Sequence, residues 1–321
     1  MKILVIKPSS FGDIVQAAAC ATALKKAYPG CNISWVVFKQ WEELLGIFPD
    51  IDNVITWDRK KGISGFFEAL KEIRNTKFDL IIDLQGLMRS TMLAKMAKGK
   101  VKLGVPGMKE CGNLLITEAY PENAKMNATL RNLEPIRFLT GKDFSPEINI
   151  KINTDTLNKA GEILKEAGIA GHFAAFMPFA RGKGKDWSTE NYLKLIDLVN
   201  EKYPSFDIVF FGSKDDYGKI KSDKVKDICG KTNLQELAAV LSKASVAVGA
   251  DTGSMHLASI LGVPSVFIFG DSDINETAPH IGKFSLLINK ENRKEINKIN
   301  PRDVFDEIIK LKTEWRVKSE E

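Results

Sequence analysis

The sequence has no long hydrophobic run. In its 321 residues, no stretch reaches the roughly 18 consecutive apolar residues that a membrane-spanning helix requires. Near the start, only residues 3–6 are apolar before Lys7, whereas a secretory signal needs about 7 to 15 such residues. We therefore expect a cytoplasmic protein.

Cysteine and histidine are scarce. The chain has three histidines and four scattered cysteines, Cys20, Cys31, Cys111 and Cys229, with no Cys-x-x-Cys pair. This spacing argues against a Cys/His metal cluster and against a disulfide framework. We expect reduced thiols with a structural role.

A large charge excess is also missing. The sequence contains 46 Lys and Arg and 41 Asp and Glu, which gives a net charge of +5. This mild excess suits an anionic ligand, but the dense Lys/Arg stripe of a nucleic-acid-binding protein is absent. We expect no nucleic-acid partner.

Short apolar runs rich in Val and Ile alternate with helical periodicity along the whole chain. This alternation indicates parallel sheets covered by helices, and the length suits about two domains of roughly 150 residues. Gly141 and Pro146 lie in a polar segment that favours a boundary. We predict an α/β chain of two Rossmann-like domains facing each other across a cleft. They cover residues 1–145 and 146–321. For the last predicted helix, packing against the first domain is an alternative to packing within the second.

The elements follow from the same patterns. The predicted strands cover residues 2–7, 33–38, 53–57, 80–84, 101–104, 173–177, 208–211, 246–249 and 265–269. The predicted helices cover residues 14–28, 40–48, 64–76, 87–97, 127–140, 154–167, 189–203, 233–242, 254–261 and 302–315. Ligands of such sheets bind beyond the carboxyl ends of the strands, so function is expected in the loops there.

Two common nucleotide-binding motifs are missing. The loop after the first strand contains no Gly-x-Gly-x-x-Gly, and the segment from Gly212 to Gly218-Lys219 has one residue too many for a phosphate-binding P-loop. These absences weaken the dehydrogenase and nucleotide-triphosphatase interpretations.

Asp13 lies in the loop after the first predicted strand, at the start of a helix. An aspartate there is favoured as a helix cap. The functional alternative is a general base, which must lie within about 3 Å of the proton that it removes. The sequence favours the cap, and both roles are compatible.

The segment 249–258 follows another predicted strand and reads Gly-Ala-Asp-Thr-Gly-Ser-Met-His-Leu-Ala. A small-residue turn that opens a helix presents free N–H groups and the positive end of the helix dipole to an anion. Thr252 adds a hydroxyl and Gly253 permits close approach. The alternative is that Asp251 and Thr252 are a capping pair and His256 an ordinary half-buried histidine.

Three further loops carry charged residues. Arg181, Lys183 and Lys185 lie on a glycine-containing loop and suit phosphate oxygens. The loop 212–216 supplies carboxylates that suit ribose hydroxyls. Asp271-Ser272-Asp273 resembles a metal-binding Asp-x-Asp motif, but a turn is the favoured interpretation.

Taken together, these loops resemble those of a known enzyme family. Segments 7–13, 83–87, 185–187 and 251–256 read Lys-Pro-Ser-Ser-Phe-Gly-Asp, Asp-Leu-Gln-Gly-Leu, Lys-Asp-Trp and Asp-Thr-Gly-Ser-Met-His. Their order and spacing are similar to those of the bacterial ADP-heptose:lipopolysaccharide heptosyltransferases, glycosyltransferase family 9. The resemblance spans nearly the whole chain and implies a GT-B fold.

The resemblance also implies residue roles. Asp13 matches the catalytic base. The residues that match the ADP-sugar site are Ala180, Arg181, Lys185, Asp216, Thr232, Asp251, Thr252, Gly253 and His256. Those assigned to the acceptor are Ser10, Gly12, Arg59, Lys60, Lys61, Gln85 and Arg89. The implied donor is ADP-heptose and the implied acceptor is the Kdo and lipid A inner core. Transfer would invert the anomeric carbon and use no metal and no cofactor, and we expect a monomer with peripheral contact to the inner membrane.

Two segments of the sequence indicate a subfamily, and three positions differ from the residues usual in the family. Segments 57–61 and 83–89 are more similar to heptosyltransferase I than to II. Ala180 and Arg181 replace the paired hydroxyl residues common in the family, and Asp216 replaces a glutamate. Two alternatives stay open: a nucleotide-sugar epimerase or hydrolase on the same scaffold, and a non-catalytic nucleotide-binding module.

Overall fold

A computed structural model describes residues 1–104, 118–119, 126–180 and 186–319. The chain divides into two compact units, Met1–Lys151 and Ile152–Glu321. The sequence placed this boundary six residues earlier. Within the described ranges, no helix is both long and apolar enough to cross a bilayer.

The first unit contains a six-stranded parallel sheet. Its strands are β1 (Lys2–Ile6), β2 (Asn32–Phe38), β3 (Asn53–Trp57), β4 (Lys77–Asp83), β5 (Lys98–Gly104) and β6 (Glu118–Ala119), in the spatial order β3-β2-β1-β4-β5-β6. The central strands are buried on both faces, which explains their unbroken apolar sequences.

In the described residues of this unit the α-helices are α1 (Phe11–Ala27), α2 (Ile63–Arg74), α3 (Met88–Met96), α4 (Ala128–Arg131) and α5 (Glu134–Thr140). The helices α2 and α3 cover the same face of the sheet. Leu70 and Ile73 of α2 and Leu93 of α3 share one core with Ile6 and Ile81 of the strands.

The second unit repeats this architecture. Its strands are β7 (Phe173–Met177), β8 (Asp207–Phe210), β9 (Val225–Asp227), β10 (Val246–Ala250), β11 (Ser265–Phe269) and β12 (Phe284–Ile288), all parallel, in the order β12-β11-β10-β7-β8-β9. Its helices are α6 (Thr154–Glu166), α7 (Thr189–Lys202), α8 (Leu234–Leu241), α9 (Gly253–Ile260), α10 (Ile274–Thr277) and α11 (Pro301–Ser319). Val304, Phe305 and Ile308 of α11 are buried in the core of this unit.

Both sheets have the same strand order when each is numbered from its own first strand: 3-2-1-4-5-6. In such sheets the second and third strands lie on one side of the first strand, and the fourth to sixth strands lie on its other side. The boundary between the first and fourth strands is the topological switch point, and ligands bind there, beyond the carboxyl ends of the strands. The switch point lies between β1 and β4 in the first unit and between β7 and β10 in the second. The loops after these four strands are therefore the places for a site.

Several elements differ from the predictions. The strands β6, β9 and β12 were not predicted, and the segment Lys39–Ile47, predicted as an α-helix, is a 3-10 helix. The predicted helix 127–140 is two helices, α4 and α5, because Pro135 at the start of α5 lacks the N–H that a continuous helix would use. Cys20, Cys31 and Cys229 are buried free thiols, and burial raises the pKa of each.

At Gly249 the two central strands of the second sheet, β7 and β10, approach each other closely. It pairs with Met177, and a Cβ at position 249 would lie 2.6 Å from the Met177 carbonyl oxygen. We expect Gly249→Ala to lower the free energy of unfolding by about 1–3 kcal/mol, because the strands must separate. Urea unfolding followed by circular dichroism measures this change.

The control is Gly161→Ala. A Cβ at Gly161, in α6, meets no atom within 4 Å, so this variant should be more stable than wild type by up to about 1 kcal/mol. A Gly249→Ala midpoint equal to that of wild type would contradict the packing argument.

Candidate functional site

The loop between β1 and α1 places Asp13 in the first turn of α1. The Ser10 backbone N–H and the Ser10 hydroxyl both donate to Oδ2 of Asp13, at 2.8 and 2.7 Å. Asp13 therefore serves as a helix cap, as the sequence favours. Its other oxygen, Oδ1, accepts no hydrogen bond from the described residues, so one oxygen remains available for a ligand proton.

The loop between β4 and α3 is organised by Asp83, whose side chain is fully buried. Oδ1 accepts from the N–H groups of Gln85 and Gly86, and Oδ2 accepts from the hydroxyls of Ser90 and Thr91. Burial raises the pKa of Asp83, and these four hydrogen bonds act in the opposite direction without cancelling the rise. A carboxylate with four donors holds the loop in one conformation.

The two loops of this switch point are joined directly. The Lys7 ammonium donates to the Leu84 carbonyl at 3.1 Å, and the Ser9 N–H donates to Oε1 of Gln85 at 3.3 Å. Desolvation lowers the pKa of Lys7, while the charge of Asp13 acts in the opposite direction. The structure thus brings Ser10, Asp13 and Gln85 to one edge of the sheet.

Two of the predicted acceptor residues converge on one aromatic ring. The guanidinium carbons of Arg59 and Arg89 lie 4.9 and 5.7 Å from the ring centroid of Phe38, at the carboxyl end of β2. Neither arginine forms an ion pair with a carboxylate in the described ranges. Two unpaired cations this close create an attractive position for an anion.

The neighbouring lysines are engaged locally. The Lys60 backbone N–H donates to Asp58, and the Lys61 ammonium forms an ion pair with Glu68 at 2.8 Å. Both Lys61 and Glu68 are about half exposed, so the pair contributes little to stability. Lys61 is therefore already partnered at the place where an acceptor contact is predicted.

In the second unit, the loop after β10 places Asp251 beside His256. Oδ1 of Asp251 lies 3.0 Å from Nε2 of His256, and both side chains are less than a tenth exposed. Thr252 is the N-cap of α9, and its hydroxyl accepts from the Met255 N–H at 3.4 Å. The capping-pair alternative is therefore confirmed for Thr252, whereas the Asp251 carboxylate lies against His256.

This arrangement leaves the start of α9 open. The first N–H groups of a helix have no partner within the helix, and those of Gly253 and Ser254 have no acceptor among the described residues. With the Asp251 carboxylate held by His256, the helix dipole and these two N–H groups form a position suited to an anion.

The loop after β7 lies across the same switch point. The Ala180 N–H donates to Oδ1 of Asp186 at 3.0 Å, and the Trp187 indole N–H donates to the Ile299 carbonyl at 3.1 Å. These bonds fix both flanks of the loop. Arg181 and Lys185, which are predicted donor ligands, lie outside the described residues.

Asp216 is more heavily engaged than a free ribose ligand would be. Its Oδ2 accepts from the Ser213 N–H and hydroxyl, and its Oδ1 receives the Lys219 ammonium at 2.7 Å. Burial acts to raise the pKa of Asp216, but the hydrogen bonds from Lys219 and Ser213 outweigh it and leave the pKa low. Thr232 is half-buried and directly precedes Asn233, the N-cap of α8.

The Asp-x-Asp segment forms a turn, as favoured. Asp273 is the N-cap of α10 and accepts from the Asn275 N–H. Among the described residues, no group of three or more His, Cys, Asp or Glu is placed to hold a metal ion.

Sequence reasoning missed the internal supports of the site. The motif 83–87 includes Asp83, and Lys7 ends the first predicted strand and begins the motif 7–13, but neither pattern indicates a supporting role. A signal was present for Asp83, because a carboxylate at the end of the apolar run Leu80-Ile81-Ile82 must be buried and needs hydrogen-bond donors.

We expect Asp83→Ala to lower the free energy of unfolding by about 3 kcal/mol, because two partly buried N–H groups lose their acceptor and the two hydroxyls keep only the Leu87 carbonyl. Asp83→Asn keeps one acceptor oxygen and should lose less. Urea unfolding across a pH series measures both variants.

The direction in which the free energy of unfolding changes with pH can also be predicted. A raised pKa means that folded Asp83 binds its proton more readily than unfolded Asp83, so this stabilisation is present at low pH and is lost as the pH rises above about 4. The stability advantage of wild type over Asp83→Asn should therefore narrow with rising pH. An advantage that grows over this range would contradict the assignment.

Comparisons with known proteins identify the family of the chain. A model of glycosyltransferase family 9 (heptosyltransferase) matches residues 66–307. The lipopolysaccharide heptosyltransferase 1 of Campylobacter coli is 26% identical over 318 residues, which cover 90% of this chain and 88% of that protein.

Two solved structures show the same fold. The glycosyltransferase family 9 protein from Veillonella parvula has a TM-score of 0.87 and 22% identity, with 98% of this chain and 97% of that chain covered. The ADP-heptose lipopolysaccharide heptosyltransferase II of Escherichia coli has a TM-score of 0.83 and 20% identity, with 98% and 100% covered. The expected GT-B fold class is confirmed. Because the family match covers well over half of the chain, the chain belongs to glycosyltransferase family 9, the heptosyltransferases, and is a glycosyltransferase.

Proposed function

We propose that the chain transfers a heptose from ADP-heptose to the Kdo and lipid A inner core of lipopolysaccharide, with inversion and without a metal or cofactor. The observation that carries this proposal is the position of the predicted residues at the switch points of the two sheets. Asp13 and Gln85 lie at one, and Thr252, Gly253 and His256 at the other. The names of the relatives in Campylobacter coli and Escherichia coli support lipopolysaccharide as acceptor and ADP-heptose as donor.

The donor diphosphate binds at the start of α9. The N–H groups of Gly253 and Ser254 lie at this position, and we assign Arg181 and Lys185, which the sequence predicts as donor ligands, to the same diphosphate. Negative charge grows on the diphosphate as the bond to the anomeric carbon breaks. Donors that are already oriented stabilise this charge without reorganising, and this is why no metal is required.

The acceptor binds at the edge that carries Asp13. Arg59 and Arg89 attract its anionic groups toward Phe38, and Gln85 and Ser10 line the path to the base. The pairing of these two arginines favours an acceptor with closely spaced carboxylates or phosphates, as in heptosyltransferase I. Because this acceptor is anchored in a membrane, we propose that the chain works in the cytoplasm as a monomer in peripheral contact with the inner membrane.

The reaction is a single displacement. Oδ1 of Asp13 removes the proton of the acceptor hydroxyl as that oxygen attacks the anomeric carbon. The new bond forms on one face of the sugar while the bond to the diphosphate breaks on the other, so ADP departs with the electron pair and the configuration inverts.

The epimerase and hydrolase alternatives are tested by the acceptor. An epimerase converts the donor alone and a hydrolase releases ADP without acceptor, whereas this proposal requires both substrates. The second alternative, a non-catalytic module, would bind ADP-heptose and turn nothing over.

We expect Asp13→Asn to reduce turnover at least about 100-fold, because the variant keeps the cap but loses the base. Its affinity for ADP-heptose should be unchanged. The assay is ADP release in the presence of both substrates, and calorimetry measures donor affinity.

The matched control is Asp155→Asn, which alters the first-turn aspartate of α6. It should leave turnover unchanged. Turnover of Asp13→Asn within a few-fold of wild type would reduce Asp13 to a structural cap.

We expect treatment with a metal chelator to leave turnover unchanged. Lys185→Ala should lose both donor affinity and rate, because a positive charge on the departing diphosphate is removed. The control is Lys194→Ala, which removes an exposed charge of α7 that is paired with Glu190, and it should leave donor affinity and rate unchanged. Turnover that vanishes with chelator and returns with a divalent metal would overturn the metal-free mechanism.

A further inference from the structure

Two helices of the first unit carry large apolar side chains in contact with solvent. On α2, Ile63 and Phe67 are 78% and 55% exposed and lie one turn apart. On α3, Met88, Met92 and Met96 are all exposed and follow each other at one-turn intervals. We call these five side chains the α2–α3 surface. Exposed apolar clusters of this kind mark interaction sites.

The five side chains belong to one face of the unit. The helices α2 and α3 contact each other and cover the same side of the first sheet. Arg59, just before α2, and Arg89, in the first turn of α3, both lie within 6 Å of the Phe38 ring centroid, so the two helices start close together. These starts lie at the carboxyl edge of the sheet, which also carries Asp13.

The same part of the chain holds its positive charge. Residues 58–102 contain eleven Lys and Arg and five Asp and Glu, a net charge of +6, whereas the whole chain carries +5. The described helix α3 carries Arg89 and Lys95 and no acidic residue. Apolar side chains bordered by lysine and arginine are complementary to a lipid surface with anionic headgroups.

We propose that the α2–α3 surface docks on an anionic phospholipid bilayer. The apolar side chains enter the boundary between headgroups and acyl chains, while the basic side chains remain at the phosphates. A second copy of the chain is a poorer occupant, because a symmetric contact would bring the positively charged α3 helices of two copies together. The role of docking rests on the proposed function, since it would hold the acceptor edge of the first unit near a membrane-anchored acceptor.

The test compares wild type with the double variants Ile63→Ser/Phe67→Ser and Met92→Gln/Met96→Gln. The full chain is sedimented with vesicles of phosphatidylglycerol and phosphatidylcholine, or of phosphatidylcholine alone. We expect wild type to bind the anionic vesicles and to release them at high salt. Each double variant should bind at least about tenfold more weakly, because apolar contact with the bilayer is lost.

The matched control is Phe138→Ser. Phe138 is 46% exposed on α5 of the same unit but lies outside the α2–α3 surface, so its replacement should leave vesicle binding unchanged. Circular dichroism confirms that every variant is folded. Light scattering without lipid reports whether any variant changes the oligomeric state.

Turnover measured with a soluble and with a membrane-embedded acceptor distinguishes a failure of docking from a failure of heptose transfer. With a deacylated, water-soluble acceptor, the double variants should turn over like wild type, and with an acceptor embedded in anionic vesicles they should be slower. Vesicle binding can be measured even if heptose transfer fails. The docking proposal is overturned if wild type does not bind anionic vesicles or if the double variants bind them as tightly as wild type does. It is also overturned if the substitutions convert a dimer to a monomer without changing vesicle binding.

Discussion

The pairing of Asp251 with His256 determines where an anion can bind on the second sheet. An aspartate just before a helix ordinarily folds back onto the first N–H groups, where its charge would repel a phosphate. Here His256 holds the carboxylate at 3.0 Å, and Thr252 takes over the cap with a neutral hydroxyl. The start of α9 therefore keeps its positive character.

Asp13, Asp216 and Asp251 each lie in a loop that follows a strand, and they differ in how many of their carboxylate oxygens are used in local hydrogen bonds. Asp216 uses both oxygens within its own turn and accepts three hydrogen bonds there. Asp13 uses one oxygen for its cap and leaves the other available. Asp251 is paired with His256. In the proposed mechanism Asp13 is the base and Asp251 leaves space for the diphosphate, while the donor-site role of Asp216 stays a prediction. Beneath the site, Asp83 and Lys7 tie the loops of the first switch point together, so the position of Asp13 depends on buried groups that touch no substrate.

Much of the fold could be predicted because burial on both faces imposes continuous apolar runs. Strands β1, β2, β7, β10 and β11 fall within a residue or two of their predicted bounds for this reason. The short strands β6 and β9 have no such run, since edge strands are paired on one side only. Strand β12, Phe284-Ser-Leu-Leu-Ile288, did carry a detectable signal. The motifs located the candidate loops, but side-chain direction could not be read from them: nothing in Asp251-Thr252-Gly253 tells which residue caps the helix. The roles of Arg181 and Lys185 remain predictions from the sequence.

The most direct measurement is a crystal structure of the chain with a non-transferable ADP-heptose analogue. We expect diphosphate oxygens within hydrogen-bond distance of the Gly253 and Ser254 N–H groups, with Asp251 still paired to His256. A nucleotide bound elsewhere on the second unit, with the start of α9 empty or occupied by the Asp251 carboxylate, would contradict it.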